Sequence, residues 1–157
     1  MKHAQQAILN SLHDFPKTCA DYIYALVLNE IGDALVFELP REGGSGVHWQ
    51  MLSVPFSASS DPFTAVQTAL LHKTGYKTSH WSYLGTHIMT QDESTAVGYY
   101  FCAKQAHQIA DPRPNGSSPS VAKWVPLTDL RYALLDGRIL LTSHALTASL
   151  ALLTLHK

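Results

Sequence analysis

The sequence predicts a single α+β domain, an α/β/α sandwich in which helices flank a mixed β-sheet. Its 157 residues are 46% apolar, which is enough for one core and too little for two ordinary domains. Strand-like segments lie on both sides of one clearly bounded helix, and further helical patterns end the chain. Strict alternation of strands and helices is absent, so a doubly wound nucleotide-binding fold is disfavoured.

Each predicted element depends on a local pattern. Apolar residues at helical spacing predict an N-terminal helix within residues 1–16, ending before Pro16. Runs rich in Val, Leu and aromatic residues predict the strands, and the first two form a hairpin that turns around Gly32. The expected strands are 22–28, 34–39 and 48–54 before the central helix, and 81–89, 96–103 and 121–125 after it.

The central helix has the clearest boundaries in the sequence. Asp61 is placed to act as N-cap, Pro62 occupies the first helical position, and Gly75 ends the helix. Val66 and Leu70 belong to its apolar stripe. This punctuation predicts a helix between residues 61 and 75 that packs one face on the sheet.

The C-terminal part predicts a loop and two helices. Residues 109–120 contain three prolines together with Gly, Ser and Asn, which favours a mobile loop. A short helix follows at 127–135, and a final helix is expected with Ser143 as its cap.

Composition excludes several classes of function. The 11 basic and 12 acidic residues nearly cancel and only 15% of residues are charged, so nucleic acid and membrane surfaces are not expected partners. The two cysteines, Cys19 and Cys102, are far apart and form no metal-binding or disulfide pattern. No signal peptide or membrane span is recognisable, and we expect a reduced, cytoplasmic protein. Only four acidic residues are glutamates.

Residues 49–76 read WQMLSVPFSASSDPFTAVQTALLHKTGY. This segment resembles the Nudix hydrolase superfamily, and within it the branch that cleaves ADP-ribose and related nucleoside diphosphate sugars. The family motif is G-x5-E-x7-R-E-U-x-E-E-x-G-U, where U is a bulky apolar residue. Anchored on Gly75, it fits without a gap, and Leu70 matches as well. Similarity to ALVFELPR, VGYYFCAK, KWVPLTDL and DGRI extends the resemblance over 20–155, so the whole chain, 1–157, is interpreted as one Nudix-like domain.

The chemically important motif positions carry other residues in this chain. In the family, carboxylates on the helix converge on divalent cations that hold the substrate's diphosphate, since such cations prefer oxygen ligands. Here Ala69 has no ligand atom, and Lys73 places a positive charge where a cation would bind. The altered positions are Val54, Ser60, Thr68, Ala69, His72 and Lys73. The resemblance therefore implies a degenerate motif and no assigned catalytic residue.

Candidate ligand contacts follow from the same resemblance. Arg41 and Trp49 flank the implied substrate side, where arginine pairs with phosphate and tryptophan stacks on a base. The alternatives are an ordinary loop charge for Arg41 and core packing for Trp49. His72 and Lys73 are candidates to bind phosphate directly, with a solvated helix face as the alternative. Metal candidates are limited to the acids Asp92, Glu93 and Asp111. No cofactor is assigned, and Mg²⁺ or Mn²⁺ enters only if these acids form a relocated site.

Three functional hypotheses remain open. The first is non-catalytic binding of a nucleotide or nucleoside diphosphate sugar. The second is an active hydrolase that cleaves a diphosphate-linked substrate such as ADP-ribose with relocated metal ligands. The third is a structural or protein-interaction module whose pocket is closed by side chains such as Phe56. The resemblance also implies a homodimer, because this branch commonly builds its site between two subunits.

Overall fold

The computed structural model describes residues 20–57, 60–89, 96–113 and 119–155. The helix predicted within residues 1–16 lies outside these ranges. The described elements, in chain order, are β1 (Asp21–Asn29), β2 (Ala34–Pro40), β3 (Val47–Gln50), β4 (Leu52–Phe56), α1 (Pro62–Thr74), β5 (Tyr76–Lys77), β6 (His80–Ile88), β7 (Val97–Gln108), β8 (Val121–Val125), α2 (Leu127–Asp136) and α3 (Thr142–Leu155).

The strands form one mixed sheet, as predicted. β1 lies at its centre and pairs in parallel with β7 and antiparallel with β2 and β4. β7 also pairs antiparallel with β5 and β6, and β2 pairs antiparallel with β3 and β8. The predicted hairpin between β1 and β2 is confirmed, with Leu28 opposite Ala34 and Gly32 at φ 89° in the turn.

Two apolar cores on opposite faces of the sheet confirm the sandwich. Because side chains alternate along a strand, Ile23 and Val27 of β1 contribute to the core that includes Leu70 of α1. Leu26 belongs to the other core, which also contains Leu130 of α2 and residues of α3. All of these side chains are almost fully buried. The sheet therefore carries α1 on one face and α2 and α3 on the other.

The single strand predicted at 48–54 is wrong, because the chain forms two strands there. β3 pairs with β2 and β4 pairs with β1, so the segment changes partner at Met51. The Met51 N–H donates to Nδ1 of His144 at 2.8 Å instead of joining a strand ladder. Burial of His144 lowers its pKa to about 4 and keeps this nitrogen an acceptor at neutral pH. No glycine or proline interrupts residues 48–54, so the sequence pattern does not reveal this change of partner.

The boundaries of α1 are confirmed by its caps. Asp61 has an extended backbone, at φ −85° and ψ 127°, and its carboxylate accepts a hydrogen bond from the Thr64 N–H at 3.1 Å. Gly75 adopts a left-handed conformation, with φ 77°, and its N–H donates to Leu71 O at 2.8 Å. Both ends of the helix are therefore fixed by the residues that the sequence indicated.

The predicted cap of the last helix is wrong. α3 begins at Thr142, so Ser143 lies within its first turn. Burial raises the pKa values of Tyr24 and Tyr100, and the neighbouring Ser143 side chain partly offsets this rise. Ser143 therefore lies against the buried tyrosines of the sheet from within the helix.

The strands β6 and β8 and the helix α2 lie close to their predicted positions, and β7 continues beyond its predicted end to Gln108. The two-residue strand β5 was not predicted. Cys102 of β7 is 2% exposed, and burial raises the pKa of its thiol to about 11. Within the described ranges, no helix is long and apolar enough to span a membrane.

Candidate ligand-binding site

A cleft of about 670 Å³ runs along the face of α1 beside β4, within the usual size range of small-molecule sites. All six altered motif positions of the sequence analysis line this cleft. Its described lining residues are Val54, Ser60, Asp61, Thr64, Ala65, Thr68, Ala69, His72, Lys73 and Arg113. Seven of these ten lie between Asp61 and Lys73 at spacings of three and four, which is the repeat of one helix face.

Lys73 is the most constrained cation in the cleft. Its Nζ donates to Ser53 O of β4 at 2.8 Å and lies 5.8 Å from the centre of the Phe37 ring. Burial lowers the pKa of its ammonium group, because the charged form loses hydration. An ammonium has three donors, so the bond to Ser53 leaves two for a ligand.

Arg113 enters the cleft from the segment after β7. Ile109 N and Ala110 N both donate to Gly75 O, at 2.9 and 3.2 Å, and Arg113 N donates to His72 O at 3.0 Å. These bonds satisfy carbonyls at the end of α1 that the helix itself leaves unpaired. Residues 109–113, expected to belong to a mobile loop, are therefore attached to α1 and place Arg113 beside His72.

Gly75 makes this attachment possible. Besides its positive φ, a Cβ at this position would lie 1.9 Å from Ala110 O, which is a severe clash with backbone. Sequence reasoning missed Arg113, since no motif marks it. The only sequence signal is the combination of Gly75 with the basic residue that directly follows the first proline of the loop, Pro112.

Asp61 is the one carboxylate among the described lining residues. It accepts hydrogen bonds from Thr64 N at 3.1 Å and from Thr64 Oγ1 at 2.9 Å. Its charge is therefore directed at the start of α1, where it complements the helix dipole. His72 is exposed at the opposite end of the same face.

The lining does not fit a divalent cation. Mg²⁺ and Mn²⁺ require several oxygen ligands, whereas Ala69 offers none and Lys73 carries the same sign of charge as the metal. Within the described residues, no group of three His, Cys, Asp or Glu side chains is arranged to hold a metal ion. Asp92 and Glu93 lie outside the described residues, and Asp111 is exposed in the segment that leads to Arg113.

Trp49 lies in a separate group of charged side chains. It is 6% exposed, its Nε1 donates to Glu38 at 3.0 Å, and the Arg138 guanidinium lies 4.5 Å from the centre of its ring. Lys123 pairs with Glu38 at 2.8 Å, and Asp136 pairs with Arg138 at 2.9 Å. Hydrogen bonds from Lys123 and then Trp49 lower the pKa of Glu38, and the bond from Arg138 lowers the pKa of Asp136. These five residues are called the Trp49 cluster.

Arg41 lies next to the Trp49 cluster and contacts the turn after α2. Its Nη2 donates to Gly137 O at 2.8 Å, while its buried Nε has no hydrogen-bond partner among the described residues. Arg41 and Trp49 are thus brought near each other, and neither is among the described residues that line the cleft. Their contact with a ligand stays a prediction.

The mixed sheet and its flanking helices have the Nudix fold of known structures. No protein-family model matches the sequence, and no curated protein is significantly similar to it. Solved structures, in contrast, match over most of the chain.

Three of these structures show the range of the likeness. An ADP compounds hydrolase has a TM-score of 0.71 at 10% identity, covering 88% of this chain and 74% of its own. A NUDIX hydrolase from Nitrosomonas europaea has a TM-score of 0.65 at 14% identity, with 86% and 89% covered. The NUDIX domain of Shewanella oneidensis NrtR, complexed with ADP ribose, has a TM-score of 0.64 at 16% identity, with 94% and 98% covered. At such identities the likeness establishes the fold.

Proposed function

We propose that this chain binds a nucleotide or nucleoside diphosphate derivative in the cleft on α1 without hydrolysing it. The observation that carries the proposal is the position of Lys73, whose ammonium lies where the motif register requires a metal-binding carboxylate. The ADP ribose held by one structural neighbour supports the ligand class.

The absence of hydrolysis follows from the chemistry of the lining. Metal-dependent cleavage of a diphosphate needs a cation that neutralises the phosphates and activates water. Ala69 removes one ligand, Lys73 opposes the cation, and Asp61 is engaged in capping α1. The same lining retains hydrogen-bond donors suited to phosphate oxygens.

The protein-interaction hypothesis requires a pocket closed by side chains such as Phe56. The Phe56 ring packs edge-on against Tyr99 at 5.2 Å, and Phe56 is not among the described residues that line the cleft of about 670 Å³. This volume favours a small-molecule ligand over a closed, purely structural face.

Calorimetric titration with ADP-ribose, other nucleoside diphosphate sugars and dinucleotides tests the proposal, together with chromatographic analysis of products. We expect binding with no cleavage, and a raised melting temperature because the ligand binds only the folded state. Turnover that requires Mg²⁺ or Mn²⁺ and is lost when Asp92, Glu93 or Asp111 is neutralised would instead support the relocated-metal hydrolase. No binding and no shift in melting temperature would favour the interaction module.

A restoration variant tests the motif register itself. Placing Glu at positions 60, 69, 72 and 73 and Arg at position 68 rebuilds the family's charged set on α1 and just before it. If the register is correct, this variant binds Mn²⁺ while the parent chain does not, as measured by calorimetry. We also propose, from the resemblance alone, that the chain forms a homodimer, which sedimentation velocity measures directly.

A further inference from the structure

The cleft contains two basic side chains that are not matched by acids. Among the described residues, Lys73 and Arg113 form no ion pair, and Asp61 is turned to the start of α1 by its bonds to Thr64. Lys73 is nevertheless fixed, because Ser53 O holds its Nζ at 2.8 Å. Lys73 is half-buried, and the bond to Ser53 O has already restricted its rotation, so binding an anion costs little additional side-chain entropy.

The second cation is positioned through the backbone. Three hydrogen bonds attach residues 109–113 to the end of α1, and the last joins Arg113 N to His72 O at 3.0 Å. The side chain of Arg113 is exposed and lines the same cleft as Lys73. A guanidinium offers a planar pair of donors that matches phosphate oxygens, and the lysine adds a point charge.

We infer that the cleft binds the diphosphate group by direct contact with the Lys73 ammonium and the Arg113 guanidinium, so that divalent cations weaken binding. This inference rests on the proposed function and reverses the metal dependence that the fold resemblance implies. The two side chains take the place of the metal as the positive partner of the phosphates.

Antagonism by Mg²⁺ follows from charge. A Mg²⁺ ion bound to a diphosphate neutralises the charge that Lys73 and Arg113 recognise, and it brings firmly held water into the cleft. The complex would also place the two positive charges of Mg²⁺ next to the half-buried Lys73 ammonium, in surroundings that screen charge less than bulk water does. The free diphosphate is therefore the preferred ligand.

Calorimetry at constant ionic strength tests the inference with two probes, ADP-ribose and inorganic pyrophosphate. For the parent chain we expect the dissociation constant to be lowest in EDTA and to rise about tenfold once Mg²⁺ saturates the diphosphate. Lys73→Met and Arg113→Gln each raise the dissociation constant in EDTA by about tenfold or more, the range of a lost charged hydrogen bond. Lys77→Met and Arg131→Gln, which alter exposed cations outside the described lining, leave it unchanged.

Lys73→Glu gives the sharpest contrast. It replaces the cation by a carboxylate, so ADP-ribose binding should become weaker in EDTA and should now improve when Mg²⁺ is added. Melting temperatures of the free variants establish that each is folded.

The outcomes separate this inference from the proposed function. If the parent chain binds ADP-ribose only with Mg²⁺, or if Lys73→Met binds as well as the parent, the inference is overturned and the proposed function stands. If ADP-ribose does not bind under any condition while pyrophosphate binds through Lys73, the inference stands and the nucleotide ligand is wrong. If neither probe binds, both fail.

Discussion

The cleft on α1 and the Trp49 cluster both contain basic side chains, but within the described part of the chain only those of the Trp49 cluster pair with carboxylates. In the Trp49 cluster, Lys123 and Arg138 each have a carboxylate partner at 2.8 and 2.9 Å. In the cleft, Lys73 is held by a backbone carbonyl, and Arg113 is anchored through its own backbone.

The difference indicates which positive charges are used within the fold and which are available to a ligand. A cation whose charge is matched by a neighbouring acid already has its partner, and binding an anion would have to compete with that acid. A cation fixed by neutral groups keeps its electrostatic attraction for an incoming anion. The two regions are joined at Met51, where β3, carrying Trp49, gives way to β4, carrying Ser53.

The largest effect is expected where the two regions join, at His144. Its pKa is about 4 in the folded protein and 6.5 when unfolded, so the unfolded chain takes up a proton first as pH falls. The free energy of unfolding is therefore undiminished above pH 6.5 and decreases by about 3 kcal/mol towards pH 4 from this group. Urea unfolding between pH 7.5 and 4 measures the loss.

A matched pair of variants tests whether protonation of His144 causes this loss of stability. His144→Asn keeps an acceptor near Met51 N but does not titrate, so its stability should depend less on pH over this range. His80→Asn, at an exposed histidine, should retain the full dependence. Equal pH dependence in both variants would contradict the assignment.

Gly75→Ala breaks the attachment that places Arg113 in the cleft. The new Cβ clashes with Ala110 O and the backbone has φ 77°, so we expect about 2 kcal/mol of destabilisation. ADP-ribose affinity should fall as well. Gly32→Ala is the control, because its φ is also positive, at 89°, while nothing lies within 4 Å of the added Cβ. Urea unfolding should show a smaller loss for Gly32→Ala, and equal losses would mean that the clash has no cost.

Trp49→Phe tests whether the Trp49 cluster serves the fold. It removes the hydrogen bond from Nε1 to Glu38 while keeping an aromatic ring under Arg138, at an expected cost of about 1 kcal/mol. Affinity for ADP-ribose should change less than twofold by calorimetry. A tenfold loss of affinity with unchanged stability would instead make Trp49 a ligand contact, as the resemblance predicts.

Lys123→Met should have the smallest effect. The ion pair with Glu38 is short, at 2.8 Å, but the lysine side chain is 48% exposed, so its contribution is about 0.5 kcal/mol. Urea unfolding at low salt and in 1 M NaCl should show the difference from the parent chain disappearing as salt screens the pair. A difference that persists in high salt would mean that the lysine stem contributes through packing.

The sequence predicted those parts that depend on local chemistry. Asp61 supplies the oxygen that caps the start of α1, and Gly75 tolerates the positive φ at its end. Both properties belong to a single residue type and can therefore be predicted from the sequence. The six motif positions meet in one cleft because a helix repeats every three to four residues. Contacts between distant segments determine three features that local patterns do not encode. These are the change of strand partner at Met51, the packing of Ser143 against buried tyrosines, and the position of Arg113 in the cleft.

The buried thiol of Cys102 provides a chemical measure of how often the central sheet opens. A thiol buried in β7 with a pKa of about 11 reacts with alkylating or oxidising reagents only when the strand separates from its neighbours. In a Cys19→Ser background, the rate at which a thiol reagent labels Cys102 therefore reports how often β7 opens. A ligand that binds only the folded state would slow that labelling as the occupied fraction rises.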